Sequence, residues 1–325
     1  MKKQYLGIII TVWNCPEMLL RRNLSSILIQ QFDQNKYGIR IYIVIDDNKN
    51  YDNIIFPFIQ DLPIQIIQNK QNMGESETRN IGMRAAFKDE CDFITIIDQD
   101  DSLYDCQSLT NLMSHFFFGD IIAGKILFEP TEGKFQIIPN DNLWDHGCAY
   151  RSNLLLKHNI YFPKNHHSND IAFNLWCNTF TSKKVYLNEI TYSYRYYTDS
   201  LNHINNDEFK SNNMRQLMEN FQEVYIKMQR DPQFSSERLK PYVIEWFIKY
   251  YQNVAIYQLP KEQEYDLWRS LPEYFNLFKS LLLEPHGNIN YQLYNEISCK
   301  LGINGLGRFS LDEFINLILK KYLPS

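Results

Sequence analysis

No two cysteines among the 325 residues stand at Cys-x-x-Cys spacing, and no histidine accompanies one of the six (Cys15, Cys91, Cys106, Cys148, Cys177, Cys299) as in a zinc finger. A structural zinc module is excluded, and the thiols read as buried groups in a reducing compartment. Long apolar runs are missing too. The run Leu6–Trp13 is too short to cross a bilayer and lacks a small-residue cleavage site, so it reads as a first strand rather than a signal peptide. Positive charge is in short supply: 33 Lys and Arg against 38 Asp and Glu leave a net charge of −5, with no global attraction to phosphate backbones or anionic lipid. Internal repeats and low-complexity stretches are absent. With 44% hydrophobic residues and a length that suits about two domains, the chain is globular and buries real cores.

Short apolar strands alternate with helical stretches over the first half. Leu6–Val12 is continuously apolar, as in a strand buried on both faces. Pro16 then suits a first helical turn, and Leu20, Leu24, Ile27 and Leu28 recur at helical spacing over residues 16 to 31. Ile39–Ile45, Ile64–Ile67 and Phe93–Ile97 are further strands, and Glu75–Lys88 after Gly74 is a helix. The alternation predicts an α/β fold with a mostly parallel, Rossmann-like nucleotide-binding sheet whose ligands sit at the strands' carboxyl ends. From residue 120 onward Ile121–Phe128 and Phe135–Ile138 read as added antiparallel strands. Beyond Asn205 the pattern turns helical, with Met214, Met218, Phe221 and Tyr225 at spacings of four, three and four. Domains are therefore expected at 1–205 (α/β) and 206–325 (helical, with breaks near Pro232, Pro260, Pro272, Pro285 and Gly302–Gly307). The last helix, Leu311–Leu323, reads as a docked core helix, with contact at a membrane surface as its rival.

Three clusters carry chemistry. Asp98-Gln99-Asp100-Asp101 directly follows the fourth strand; in extended geometry residues i and i+2 share a side, so Asp98 and Asp100 are expected to converge. Carboxylates this close repel one another unless a cation sits among them. A hard, oxygen-ligated ion, Mn2+ or Mg2+, fits and would accept diphosphate oxygens as further ligands. A solvated acidic turn is the bland alternative, and the position at the end of a buried strand counts against it. Asp46-Asp47-Asn48 ends the second strand, where a carboxylate can accept hydrogen bonds from a base or ribose, or can simply shape a turn. Asn72-x-Gly74 and Arg79-Asn80-x-Gly82 join an unusual backbone turn to a charged fork that reaches a nucleotide or is only solvated.

In this order the residues resemble the family-two glycosyltransferases with the GT-A fold. The resemblance runs from Ile8-Ile9-Ile10-Thr11-Val12-Trp13-Asn14 through Ile43-Val44-Ile45-Asp46-Asp47-Asn48, Asn72-Met73-Gly74, Arg79-Asn80-Ile81-Gly82 and Asp98-Gln99-Asp100-Asp101. It continues into Gly147–Ser152 and His167-Ser168-Asn169-Asp170, over roughly residues 5 to 203. It implies a donor site from Thr11, Trp13, Asn14, Asp47, Asn72, Gly74, Arg79, Asp98 and Asp100, with Asp47 on the base. It further implies Mn2+ or Mg2+ on Asp100 and Asp101, with His203 as a further candidate ligand, and Asp170 as general base of an inverting single-sugar transfer. Trp144, His146 and Arg195 fall on the acceptor side; a core tryptophan and a tyrosine-rich edge strand are the bland rivals there. His166-His167 reads as a polar loop.

Two departures stand out. Many relatives carry an acidic pair before the base, whereas this chain has Asn169-Asp170, which is expected to leave Asp170 less raised in pKa. The Gln-x-x-Arg-Trp motif of processive synthases is also missing, which favours single transfer. The expected partners are a UDP-sugar and a surface-glycan acceptor, in the cytoplasm (host cytoplasm for a phage protein) or peripherally at the inner membrane face, with a second copy of the chain in a homo-oligomer as a further candidate. A hydroxylated base of phage-type DNA or a peptide is the alternative acceptor. The acidic pI disfavours DNA, although Lys157, Lys164, Lys183 and Lys184 offset it locally. A noncatalytic nucleotide-sugar scaffold is the rival from another class, and it has no need of clustered carboxylates.

Overall fold

The computed structural model describes residues 2–140, 144–165, 168–197, 207–256, 274–283 and 291–300. The chain divides into two compact units, Met1–His203 and Ile204–Ser325.

In the first unit β1 (Gln4–Val12) lies at the centre of a parallel set, paired with β2 (Tyr37–Ile45) on one side and β4 (Phe93–Ile96) on the other. Beyond β2 runs β3 (Ile64–Gln68), also parallel. Alternation along β1 explains why every residue from Leu6 to Ile10 except Gly7 is a fully buried hydrophobe. Leu6, Ile8, Ile10 and Val12 join a core with Leu20, Leu24 and Ile27 of α1 (Glu17–Leu28), whereas Ile9 faces Gly82 of α3 (Glu75–Lys88). Between them in the chain comes α2 (Asp52–Ile59).

That second face is tight. A Cβ on Gly82 would meet Ile9 Cγ2 at 2.5 Å. Gly82→Ala is therefore expected to lower stability by about 1–3 kcal/mol through overpacking, even after alanine's better helix propensity is counted. Urea denaturation of the variant reads this, and an unchanged midpoint would show that α3 can shift away from β1 at little cost.

The sheet continues past β4 with reversed direction. The two-residue β5 (Ser102–Leu103) and helix α4 (Ser108–Met113) lead to β6 (Ile121–Thr131), which forms an antiparallel hairpin with β7 (Lys134–Ile138). β8 (Cys148–Arg151) pairs antiparallel with both β4 and β6, and β9 (Lys184–Tyr194) pairs parallel with β6 and antiparallel with β5. The order is β3-β2-β1-β4-β8-β6-β9-β5. Helices α5 (Ser152–Lys157) and α6 (Asn169–Phe180) fill the β8–β9 connection. The mixed α/β sheet with its parallel half is the architecture the alternating pattern predicts. The expected antiparallel additions after residue 120 are β6 and β7.

The second unit is helical where described: α7 (Asp207–Gln229), α8 (Ser236–Ile256), α9 (274–282) and α10 (Tyr291–Lys300). Leu217, Phe221, Val224 and Met228 form the buried stripe of α7. Phe221 meets the rings of Trp246, Tyr274 and Phe278 at 5.8, 5.8 and 6.3 Å, and the Tyr274 hydroxyl donates to the Val243 carbonyl at 2.8 Å. The turn at Asp231-Pro232 separates α7 from α8. The expected breaks at Pro260, Pro272, Pro285 and Gly302–Gly307 and the helix Leu311–Leu323 lie outside the described residues. Among the described residues no helix is long and apolar enough to cross a membrane.

Candidate active site

The carboxyl ends of β1, β2, β3 and β4 converge at one edge of the sheet, and each ends in residues that bind backbone. Thr11, half-buried, pairs with Val44 near the end of β1. After Val12 the exposed Trp13 is clamped through its own peptide groups: its N–H donates to Gln99 Oε1 at 2.8 Å, and Gln99 Nε2 donates to its carbonyl at 3.0 Å. Asn14 follows with φ at +47°. Its N–H donates to Asp47 Oδ2, which also accepts the Tyr51 hydroxyl at 2.8 Å. The neighbouring Asp46 is buried and points to the other loop. It accepts from Asn69 Nδ2 (2.6 Å) and from the N–H groups of Met73 and Gly74 (2.8 Å each). Asn72 Oδ1 takes the Gly74 N–H at 3.1 Å, and Gly74 itself has φ at +79°, a conformation that glycine adopts without strain. Both carboxylates of the Asp-Asp pair thus shape loops, and Asp47 does so next to Trp13 and Asn14.

The acidic run stands directly after β4. The strand stops at Ile96, and Asp98–Asp101 form a turn in which the Asp101 N–H donates to the Asp98 carbonyl at 3.0 Å. A turn brings positions i and i+3 together, so Asp98 approaches Asp101 as well, while its charge also reaches Asp100. Asp98, Asp101 and His146 each offer an atom within 4.8 Å of the others. Asp98 and Asp101 are already engaged. Asp98 takes Arg79 Nη2 at 2.7 Å and lies 3.1 Å from His146 Nε2. Asp101, 2% exposed, accepts the Tyr192 hydroxyl at 2.9 Å and the Arg195 N–H at 2.8 Å. Asp100 is half-buried and its carboxylate has no hydrogen bond to another residue among the described ones. Burial and then the charge of Asp98 push it up to about 6. A carboxylate left open and disfavoured as an anion suits a divalent cation, which would offset both its burial and the charge of Asp98.

Arg79 is the hub behind that turn. It is 3% exposed on α3, with Nη2 2.9 Å from Glu75 Oε1 and Nη1 2.9 Å from Asn169 Oδ1, in addition to its bond to Asp98. Burial opposes the charge of Asp98, yet Arg79 and His146 hold its carboxyl well below the usual carboxylate range. His146 is pushed up to about 10: burial opposes its charge, and the Asp98 bond with nearby Asp145 and Asp101 overcomes that.

Asp170 sits in the first turn of α6, entered through Ser168 at φ +55°. Burial, then the charge of Asp145, raises it to about 7. Asn169 therefore does not leave Asp170 without an acidic neighbour; the neighbour comes from another part of the chain. The amide also has its own reason. Asn169 accepts from Arg79 and donates to Ser76 Oγ at 2.9 Å and Glu75 Oε2 at 3.2 Å. A carboxylate there could not donate and would repel Glu75.

On the expected acceptor side, Trp144 is half-buried against Phe128 and Tyr194, with ring centroids at 5.6 and 6.5 Å. His146 packs between Tyr192 and Tyr194. Arg195 pairs with Glu129 at 3.2 Å and lies over Phe135. His203 and His166-His167 lie outside the described residues. The sequence pattern points to no role for Glu75, Arg22 or Asn23, and it places Asp145 only within the Trp144-Asp145-His146 stretch on the acceptor side. The fully buried Asn23 donates to the carbonyls of Asp98 (2.8 Å) and Asp101 (3.2 Å), and Arg22 reaches the Asp100 carbonyl. The available signal was a polar pair within the apolar repeat of α1.

The sequence model of glycosyl transferase family 2 matches residues 7–179. No curated protein matches in sequence. Among solved structures, Staphylococcus aureus TarS 1-349 in complex with UDP-GlcNAc is 15% identical, covering 84% of this chain and 81% of that one at a TM-score of 0.67. The same protein in complex with UDP is 14% identical, covering 92% of each chain at 0.63. The mannosyltransferase PcManGT from Pyrobaculum calidifontis, in complex with GDP-Man and Mn2+, is 12% identical, covering 98% and 79% at 0.53. At these identities the likeness is one of fold.

Proposed function

The chain belongs to glycosyl transferase family 2, and on that premise we propose that it is a metal-dependent, inverting enzyme that moves one sugar from a nucleoside diphosphate to a glycan hydroxyl. The observation that carries this reading is the cluster of close-set groups, partly buried apart from the fully buried Asp101 and Asp145, that runs from the Asp98–Asp101 turn through His146 to Asp170. It brings a donor-side acidic turn and an elevated carboxyl to opposite ends of one small site. UDP-sugars are the first donors to test, because the TarS structures hold UDP and UDP-GlcNAc.

In this reading the exposed Trp13 indole and the Asp47 loop receive the base, and the Asn72–Gly74 turn and Arg79 line the donor pocket. Asp100, with Asp101 behind it, holds Mn2+ or Mg2+, whose chemistry is to neutralise charge on the departing diphosphate. Asp170 accepts the acceptor hydroxyl's proton as that oxygen bonds the anomeric carbon and the carbon–diphosphate bond breaks. Attack from the face opposite the leaving group inverts the anomeric configuration. Trp144 and Arg195 flank the acceptor entrance.

A panel of nucleotide sugars incubated with Mn2+ and scored for slow hydrolysis needs no acceptor. One donor is expected to turn over, and Asp100→Asn is expected to slow it by roughly 10²- to 10³-fold. Hydrolysis by Asp100→Asn at the wild-type rate would remove the metal assignment, and a panel with no turnover at all would remove the enzymatic reading.

A further inference from the structure

Asp145 has no part in the mechanism above. It precedes β8, is 1% exposed, and neither carboxylate oxygen has a hydrogen-bond partner among the described residues. Arg79 Nη1 stands 3.8 Å from Oδ2 and His146 Nδ1 3.5 Å from Oδ1. On the remaining side is the base: Asp145, His146 and Asp170 each place one ligand-type atom within 4.8 Å of the other two. A buried carboxylate without hydrogen bonds is strongly unfavourable unless neighbouring charges compensate it.

The charges around it do not balance. Helix α3 contributes Glu75 and Arg79, the β4 turn Asp98, the approach to β8 Asp145 and His146, and α6 Asp170: four carboxylates against two cations. Glu75 and Asp98 have direct contacts with Arg79, and Asp98 a second with His146. The closest cation contacts go to Glu75 and Asp98, and those of Asp145 are longer, at 3.8 and 3.5 Å, so the negative charge left over is felt by the facing pair Asp145 and Asp170, where a proton relieves it.

We infer that Asp145 is a positioning residue for the base: buried between Arg79 and His146 and facing Asp170, it supplies across the fold the acidic neighbour that Asn169 does not supply along the chain, and so keeps Asp170 a competent proton acceptor. A general base works best when its proton affinity lies near the working pH, and a carboxylate at its ordinary value near ~4 is a weak acceptor. Burial and Asp145 raise Asp170, while His146 and Arg79 pull it down. The inference rests on the reading of Asp170 as the base.

The test is a carboxyl carbon NMR titration of the full chain labelled at aspartate, with the Asp170 signal identified by its loss in D170N. In D145N the Asp170 midpoint is expected to fall by about one pH unit, and in H146Q, which removes a facing cation, to rise. The acid limb of the pH profile for nucleotide-sugar hydrolysis should move in the same two directions. D145E, which keeps the charge, should stay near wild type, and D145S gives the same fall if D145N does not fold. Loosened packing would not drive the two neutralising changes in opposite directions. A midpoint that does not fall in D145N or D145S, or that moves the same way in D145N and H146Q, would overturn the inference. Failure of the base reading looks different: D170N would hydrolyse donor at the wild-type rate, whatever the titrations of the other variants show.

Discussion

Asp170→Asn is expected to lower sugar transfer by roughly 10²- to 10⁴-fold while nucleotide binding survives. The amide keeps the shape of the side chain in the first turn of α6 but cannot take a proton. The loops formed by Trp13, Asn14, Asp46 and Asp47, the proposed donor side, hold themselves together through hydrogen bonds that do not involve Asp170, so donor affinity has no reason to change. A pH dependence belongs to the same prediction. With its carboxyl raised to about 7, Asp170 is charged above that value, and under the proposed role it is active there. Below it the rate should fall about tenfold per pH unit as the proton occupies the base. Calorimetric binding of UDP with Mn2+, together with the pH profile of donor hydrolysis, separates the two effects. Transfer at the wild-type rate in the variant would mean that another group takes the proton.

The second large effect concerns stability. Arg79→Met is expected to destabilise the protein by about 3–5 kcal/mol, because it removes the buried guanidinium that compensates the buried Asp145 and the partly buried Asp98 and Glu75. Glu75 and Asp98 lie 2.9 and 2.7 Å from Nη2, and Asp145 lies 3.8 Å from Nη1. Asn169 would lose its guanidinium donor as well. Lysine in the same place keeps the charge but not the planar fork, so Arg79→Lys should fall between wild type and methionine. Urea unfolding followed by tryptophan fluorescence gives the ordering. A loss below about 1 kcal/mol for methionine, the size of an exposed ion pair, would show that solvent reaches the cluster.

The parallel half of the sheet was readable because burial on both faces demands continuous apolar strands. Leu6–Val12 and Ile39–Ile45 carry no polar residue to confuse the period except Arg40 and Thr11. The helix Glu75–Lys88 was readable from the glycine before it and from its small residues. The fourth strand ends within one residue of the expected Ile97, whose N–H still donates to the Ile9 carbonyl. The aspartates after it close into a turn through the Asp101 N–H on the Asp98 carbonyl, a contact that periodicity does not record.

Local pattern by itself determined the order of strands and helices, the placing of acidic residues at strand ends, and the presence of an aspartate at the start of α6. These depend on neighbours a few residues apart, which periodicity and turn chemistry record. Which carboxylates meet, and which cation each one faces, was decided only when the chain folded. Asp145 lies 25 positions from Asp170 and 66 from Arg79, yet all three lie around His146. Electrostatic energy falls with distance in space and is strongest where water is excluded, so proton affinities and ion pairing are properties of the packed interior.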